Sequence, residues 1–270
     1  MVQLDITKLF NVRSLPIRDL NFTQDIYIHH TLGLGDMIHF NGMVRYLLDR
    51  LHPDRSIRVF CKANNGAMTQ WMYRDEPRIV LEILSSSKRE SDAVQRILKQ
   101  RKSRNFLCLG HRALRPLLKS HPSTFFDQLF YLQADVPYGV RYSHCYWNRD
   151  YQQEERVYKK LIVDRNLSER AYAFVHDDPS RGFEVRTDSI RFPIVRNDIT
   201  ESIFHLGLLL ERAAEVHCME SSIRCMIESL DMKHTKLYYH NFRYPDRPLG
   251  TATELDWNQI EYPSDQSAVA

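Results

Sequence analysis

The strongest constraint on the fold is the stretch from Asp25 to Leu51, DIYIHHTLGLGDMIHFNGMVRYLLDRL. It opens on β-favouring residues, Ile26–Ile28, which lead into a glycine-containing turn at residues 31–35. The apolar residues that follow are spaced as on a helix: Met37, Phe40, Val44, Leu47, Leu48 and Leu51. This succession of strand, glycine turn and helix predicts the first βα unit of an open α/β sheet.

The same turn is the first candidate site. Gly33 and Gly35 let the backbone approach a ligand without interference from a Cβ atom, and the free N–H groups at the helix start suit an anion. Asp36 would follow the carboxyl end of the strand, where open α/β sheets place ligands. Its carboxylate could therefore act as a general base toward a hydroxyl. The alternative is purely structural, with the glycines forming a tight turn and Asp36 capping the helix.

Other nucleotide and metal motifs are disfavoured. In a dinucleotide fingerprint the third glycine would fall at Ile38, and the strand Ile57–Cys61 would end at an acidic residue instead of Lys62. The chain has no Gly-x-x-x-x-Gly-Lys-Ser/Thr run, which counts against a P-loop enzyme. It also lacks His-Glu-x-x-His, Cys-x-x-Cys and Asp-x-Asp motifs. We therefore expect neither a metal nor another bound cofactor.

Composition narrows the class of protein further. The 270 residues include 37 basic and 34 acidic side chains, a formal net charge of +3, which gives no electrostatic indication of nucleic-acid binding. The five cysteines are scattered, as is typical of reduced thiols. No apolar run has the length of a membrane span, and the first residues lack a secretory pattern. We expect a cytoplasmic protein that binds no nucleic acid and has no membrane span.

Strands and helices alternate along most of the chain. After the first unit, strands are predicted at residues 57–61, 79–84 and 105–110, with an irregular stretch around residues 64–66. A charged helix, residues 149–164, separates this half from a second set of strands at 171–175, 190–194, 216–219 and, last, 236–239. An amphipathic helix is predicted over residues 203–213. The pattern predicts two Rossmann-like domains, 1–150 and 151–270, facing across a cleft.

The second half contains two further candidate sites. HDDPSRG, His176–Gly182, follows a predicted strand, and its Arg181 and Ser180 suit the oxygens of a diphosphate. Glu220, Ser221 and Ser222 follow the predicted strand 216–219 and begin a helix. The serine hydroxyls and the free N–H groups at the helix start can bind phosphate, and Glu220 can accept hydrogen bonds from ribose hydroxyls. The alternatives are an Asp-Pro turn and an ordinary serine cap.

These motifs resemble a known family. HTLGLGDMIHFNGMVRYLLDRLHPDRSIRVFCK, residues 30–62, resembles the opening of GT-B glycosyltransferases of the heptosyltransferase-like kind, and EVHCMESSIRCMIESLDMKHTKLYYH, residues 215–240, resembles their donor-site stretch. HDDPSRG is similar to the phosphate-contacting loops of fucosyltransferase-like GT-B enzymes. The resemblance implies that Asp36 is the catalytic base, that Glu220 is the acidic donor-site residue and that Arg181 contacts the diphosphate. The chain departs from the family in having Glu-Ser-Ser instead of Asp-Ser-Gly.

The resulting hypothesis is an inverting, metal-independent glycosyltransferase that moves a sugar from a nucleotide-diphosphate sugar to a glycan hydroxyl. The donor would be held by Gly33, Gly35, His176, Ser180, Arg181, Glu220, Ser221 and Ser222. Asn41 and Arg45, one and two turns along the first helix, would line the acceptor side. The alternatives are a non-catalytic nucleotide- or glycan-binding protein on the same scaffold, and another Rossmann-type enzyme such as an NAD-dependent oxidoreductase.

Overall fold

The computed structural model describes residues 14–30, 33–85, 90–110, 114–242 and 250–262. It divides into two compact units, unit 1 (Met1–Asn148) and unit 2 (Arg149–Ala270). The division lies two residues before the boundary predicted from the sequence.

Unit 1 contains a four-stranded parallel sheet in the order β3-β2-β1-β4. Its strands are β1 (Ile26–His29), β2 (Ile57–Lys62), β3 (Ile79–Leu84) and β4 (Phe106–Cys108). All four residues of β1 are buried, as expected for a central strand that is covered on both faces. The register pairs Ile28 with Val59 on one side and with Leu107 on the other. The predicted strands of the first half are therefore confirmed.

The helices of unit 1 cover this sheet and continue beyond it. They are α1 (Leu34–Leu48), α2 (Ala63–Met72), α3 (Glu90–Gln100), α4 (Leu114–Ser120), α5 (Phe126–Ala134) and α6 (Val140–Ser143). Helix α1 is buried on nearly every side, since α6 and α5 pack against it as well as the sheet. Gly42 permits the approach of α6, because a Cβ atom at this position would lie 2.6 Å from the carbonyl oxygen of Val140.

Helix α2 corrects one prediction. Residues 64–66 were expected to be irregular because ANNG contains two asparagines and a glycine and has no helical apolar pattern. Tertiary packing outweighs this weak local preference. Gly66 faces β3, and a Cβ atom there would lie 3.1 Å from Cδ1 of Ile83. The glycine thus allows α2 to lie close to the sheet.

Unit 2 contains a five-stranded parallel sheet in the order β6-β5-β7-β8-β9. Its elements are α7 (Tyr151–Leu161), β5 (Ala173–His176), β6 (Ile194–Arg196), α8 (Gly207–Glu211), β7 (Glu215–Met219), α9 (Ser222–Ile227), β8 (Lys236–Asn241) and β9 (Trp257–Glu261). The two parallel sheets with their helices confirm the predicted α/β class and its Rossmann-like units.

Three details of unit 2 differ from the sequence prediction. The strand expected at residues 190–194 lies at Ile194–Arg196. The strand at 236–239 is not the last, because β9 pairs with β8 along five residues. The helix expected over 203–213 is a 3₁₀ turn, Ile203–His205, followed by the short α8, whose first residue, Gly207, lies against the Arg149–Glu154 ion pair. Within the described residues, no helix is both long and apolar enough to cross a membrane.

Candidate functional site

The turn between β1 and α1 places Asp36 at the carboxyl end of a central strand. Gly33 is the N-cap of α1, and its carbonyl oxygen accepts a hydrogen bond from the N–H of Met37. Asp36 lies in the first helical turn, and its carboxylate folds back so closely that a Cβ atom on Gly33 would lie 3.0 Å from Oδ2. Gly35 is half-buried beside it. Residues 31 and 32 of the predicted turn lie outside the described residues. The carboxylate and the helix start are therefore in the arrangement that the sequence predicted.

Asn41 and Arg45 are not placed as the acceptor-side prediction requires, and this is a correction. Both side chains are buried within unit 1. Arg45 makes two 2.9 Å hydrogen bonds to the carboxylate of Asp75, and its Nε donates to Asn41 Oδ1 at 3.2 Å. The ring of Tyr146 covers the guanidinium at 3.7 Å. Helical spacing placed the two residues on one face of α1, but that face points into the unit and binds its own neighbours.

The HDDPSRG loop is closed by its own side chains. Asp178 accepts from Ser180 Oγ at 2.5 Å and from Arg181 Nε at 2.6 Å. Its backbone pairs with Phe183, and Gly182 supplies the positive φ of 76° that the turn needs. The hydrogen bonds from Ser180 and Arg181 lower the pKa of Asp178. The side chain of Arg181 nevertheless stays 59% exposed. The loop is thus an Asp-Pro turn, and it presents an arginine to solvent as well.

A second pair of bonds fixes the start of this loop. His176 Nδ1 lies 3.0 Å from Asn197 Oδ1, and Asp177 Oδ1 lies 2.6 Å from Arg196 Nη1. The last residue of β5 and the residue after it are therefore held by the last residue of β6 and the residue after it. Since Asn197 Oδ1 can only accept, His176 carries its proton on Nδ1 and keeps Nε2 as an acceptor. Burial lowers the pKa of His176, which favours this neutral form.

Glu220, Ser221 and Ser222 follow β7, the strand beside β5, so their loop leaves the same edge of the sheet as HDDPSRG. Ser221 is the N-cap of α9, and its Oγ accepts from the N–H of Arg224 at 3.3 Å. Glu220 lies 3.6 Å from the guanidinium of Arg224, one helical turn away. The predicted donor residues of unit 2 therefore lie in two loops at one edge of the same sheet. Ser221 also serves as the helix cap that was the structural alternative.

Arg224 is a functional candidate that sequence reasoning missed. It is fully buried, with a second carboxylate, Glu228, at 3.7 Å, and it also bonds to Thr251. Glu228 in turn accepts from Thr253 Oγ1 at 2.8 Å and from Trp257 Nε1 at 3.1 Å. The i, i+4 spacing of Glu220, Arg224 and Glu228 was a signal in the sequence, but the partners from residues 251–257 were not. This network ties the loop after β7 to the segment that leads into β9.

A line of polar side chains also crosses the sheet of unit 2. Tyr262 Oη accepts from the N–H of Arg186 at 3.0 Å and lies 2.8 Å from His240 Nδ1. His240 Nε2 lies 3.0 Å from His217 Nδ1, and His217 Nε2 lies 3.3 Å from Glu215 Oε2. One proton per imidazole satisfies every bond, with Tyr262 donating to His240, His240 to His217 and His217 to Glu215. Burial lowers the pKa of both histidines, that of His240 to about 3. Among the described residues, no three His, Cys, Asp or Glu side chains are grouped as metal ligands.

The fold matches that of a solved glycosyltransferase structure. The chain is similar to the crystal structure of a glycosyl transferase family 9 protein from Veillonella parvula DSM 2008, with a TM-score of 0.58 and 9% sequence identity over 94% of this chain and 92% of that chain. It also matches E. coli ADP-heptose LPS heptosyltransferase II, with a TM-score of 0.46 and 11% identity over 90% and 92% of the two chains. E. coli heptosyltransferase WaaC with ADP-2-deoxy-2-fluoro heptose matches with a TM-score of 0.43 and 11% identity over 91% and 95%. No protein-family model and no curated protein matches the sequence. Of these three structures, only the first has a TM-score above 0.5.

Proposed function

We propose that this protein is an inverting, metal-independent glycosyltransferase that moves a sugar from a nucleotide-diphosphate sugar to the hydroxyl of a glycan. Asp36 would accept the proton of the acceptor hydroxyl while its oxygen attacks the anomeric carbon. The bond from that carbon to the diphosphate breaks as the new bond forms, and the electron pair leaves on the diphosphate oxygen.

The observation that carries the proposal is the position of Asp36. A half-buried carboxylate in the first turn of α1 follows the carboxyl end of a central parallel strand, in a fold shared with a glycosyl transferase family 9 protein. That edge is where open α/β sheets bind their substrates. The carboxylate of Asp36 packs closely over Gly33, so that a side chain at position 33 would displace it, and a general base requires a defined position.

Unit 2 would hold the donor. Arg181 is exposed, and its Nη groups, which bond to none of the residues that the structure describes, suit the diphosphate. Ser180 lies beside it. Ser221 and Ser222 would contact phosphate or nucleotide, and Glu220 a ribose hydroxyl. In neutral His176 the Nε2 atom is a hydrogen-bond acceptor, so it suits a hydroxyl group of the nucleotide sugar. His176 would bind phosphate only in its protonated form.

The first experiment is a thermal-shift panel of UDP, GDP, ADP, CMP and dTDP with their sugar conjugates, and NAD, each with and without EDTA. We expect one nucleotide to stabilise the protein regardless of EDTA. Arg181→Gln should raise the Kd of that nucleotide about tenfold or more, because a charge-assisted bond contributes about 1.5–3 kcal/mol. Arg165→Gln, an exposed arginine of the same unit, serves as the matched control. If no nucleotide shifts the melting temperature, the proposal loses its basis.

The second experiment separates base catalysis from binding. With the nucleotide identified, Asp36→Asn should lower turnover with the sugar donor about 10²–10⁴-fold and leave donor affinity nearly unchanged. Asp49→Asn, the same change at the exposed C-terminal end of α1, should leave both unchanged. Equal loss of turnover and affinity in Asp36→Asn would refute the assignment of the base. Binding without product for any acceptor would instead indicate a non-catalytic nucleotide-sugar-binding protein.

A further inference from the structure

A basic groove lies on unit 1 along helix α3 and the segment that follows it. It has a volume of about 740 Å³, and its lining includes Arg96, Lys99, Lys102 and Arg104 with a single carboxylate, Asp92. All four cations are exposed. Arg96 and Lys99 are three residues apart on α3 and so share a face, while Lys102 and Arg104 extend the groove toward β4.

The positive charge of this groove is not neutralised within the protein. None of the four cations has a carboxylate within ion-pair distance in the parts of the chain that the structure describes, whereas the neighbouring Arg101 lies 3.9 Å from Glu82. The whole chain has a net charge of only +3, so these four charges are a local concentration and not a general property of the surface. Like charges held this close repel one another, and a bound polyanion would relieve that repulsion.

The groove is separate from the turn that contains Asp36. Residues 102–104 lead into the amino end of β4, and β4 runs parallel to β1 with Phe106 opposite Tyr27. Asp36 follows the carboxyl end of β1. The two places therefore lie at opposite edges of one sheet, separated by at least the length of a four-residue strand, about 13 Å.

We propose that this groove binds a compact polyphosphate. Its volume is within the range of small-molecule sites, about 300–1,000 Å³, and four cations match a ligand with three or four phosphate groups. In the part of the chain that the structure describes, the lining contains no aromatic side chain on which a base could stack, so the groove would recognise phosphates and not bases. The site does not depend on the glycosyltransferase proposal, because none of its residues takes part in that reaction.

The test is isothermal titration of the full chain with sodium tripolyphosphate. We expect saturable binding of one ligand per chain, weakened when the salt concentration is raised from 0.1 to 1 M, since the screening length then falls from about 10 to 3 Å. The double variant Lys99→Gln, Arg104→Gln should weaken binding about tenfold or more. The control is Lys119→Gln, Lys159→Gln, which removes the same charge from two exposed positions outside the groove; its affinity should equal that of the wild type.

Three results would overturn the proposal. One is the absence of binding by the wild type. Another is an equal loss of affinity in the groove variant and the control, which would indicate a non-specific charge effect. The third is loss of binding in Arg181→Gln without loss in the groove variant, because tripolyphosphate would then occupy the donor site of unit 2. Sedimentation with phosphatidylglycerol vesicles tests a membrane surface as the alternative ligand. If the protein binds vesicles through Lys99 and Arg104 but does not bind tripolyphosphate, the groove binds a membrane surface and the polyphosphate proposal is wrong.

Discussion

Lowering the pH from 7.5 to 5.5 is expected to destabilise unit 2 through His240. This residue is 1% exposed and lies between His217 and Tyr262 in the line of hydrogen bonds that crosses the sheet. Burial, together with the charge of His217 when protonated, lowers the pKa of His240 to about 3. A proton on Nδ1 would also displace the hydrogen bond that Tyr262 donates there.

The magnitude follows from proton linkage. In the unfolded chain the pKa of a histidine is about 6.5, so the unfolded state binds protons in this range while the folded state does not. The free energy of unfolding therefore has its full value above about pH 6.5 and decreases as the pH falls toward the folded-state pKa. For one such histidine the decrease between pH 7.5 and 5.5 is RT ln 10, about 1.4 kcal/mol. This figure holds for any folded-state pKa well below 5.5, and His217, whose pKa burial also lowers, adds to it.

The assay is urea denaturation at the two pH values for the wild type, His240→Leu and His234→Leu. His240→Leu should be less stable at pH 7.5 by roughly 1–3 kcal/mol, because Tyr262 and His217 lose a buried partner. It should also lose about 1.4 kcal/mol less than the wild type on going to pH 5.5. His234 is exposed in the same unit, and its replacement should leave the pH dependence unchanged. An identical pH dependence in wild type and His240→Leu would refute the reasoning.

Three other perturbations follow from the packing and hydrogen bonding. Gly42→Ala should lower the free energy of unfolding by about 2–3 kcal/mol in urea denaturation, because the new methyl group meets a backbone carbonyl. The control is Gly139→Ala, where a Cβ atom would have nothing within 4 Å. It should change the free energy of unfolding by less than about 0.5 kcal/mol. Arg224→Met should cost roughly 3–5 kcal/mol in the same assay, since it leaves two carboxylates without their buried cation, and a neutral result would show that the network is not stabilising. In an NMR titration of the His176 ring, Asn197→Leu should lower the pKa further and Asn197→Asp should raise it, while equal values in both variants would contradict the hydrogen bond.

Local sequence patterns predicted most of the strands and helices of unit 1. Ile79–Leu84 was located to the residue, because it is a short run of mainly β-favouring apolar residues between turn residues. The strand–turn–helix at 25–51 was equally clear. Helix α2 was missed since ANNG has no apolar period. The helix packs against β2 and β3, with Gly66 close to Ile83, seventeen residues away. Strand β9 was missed because WNQIE is largely polar and is a strand only by pairing with β8.

Some residues of the candidate site could likewise be predicted from the sequence, and others could not. Residues at the carboxyl ends of predicted strands, such as Asp36 and Glu220, could be placed from the sequence because strand direction fixes which edge they leave. Arg45 shows the limit of that reasoning. Helical spacing predicts which face of a helix a residue lies on, but not which residue packs against that face. The partner of Arg45 is Asp75, which lies in a separate turn.

The sequence by itself determined the alternation of strands and helices, the two α/β units and the chemical character of the loops after β1, β5 and β7, since these depend on propensities and spacings within about ten residues. The tertiary structure alone decided which polar groups meet: Asn197 with His176, residues 251–257 with Arg224 and Glu228, and Tyr262 with His240. The physical reason is that hydrogen bonds and ion pairs act over about 3–4 Å in space, whereas these partners are separated by more than twenty residues in the chain.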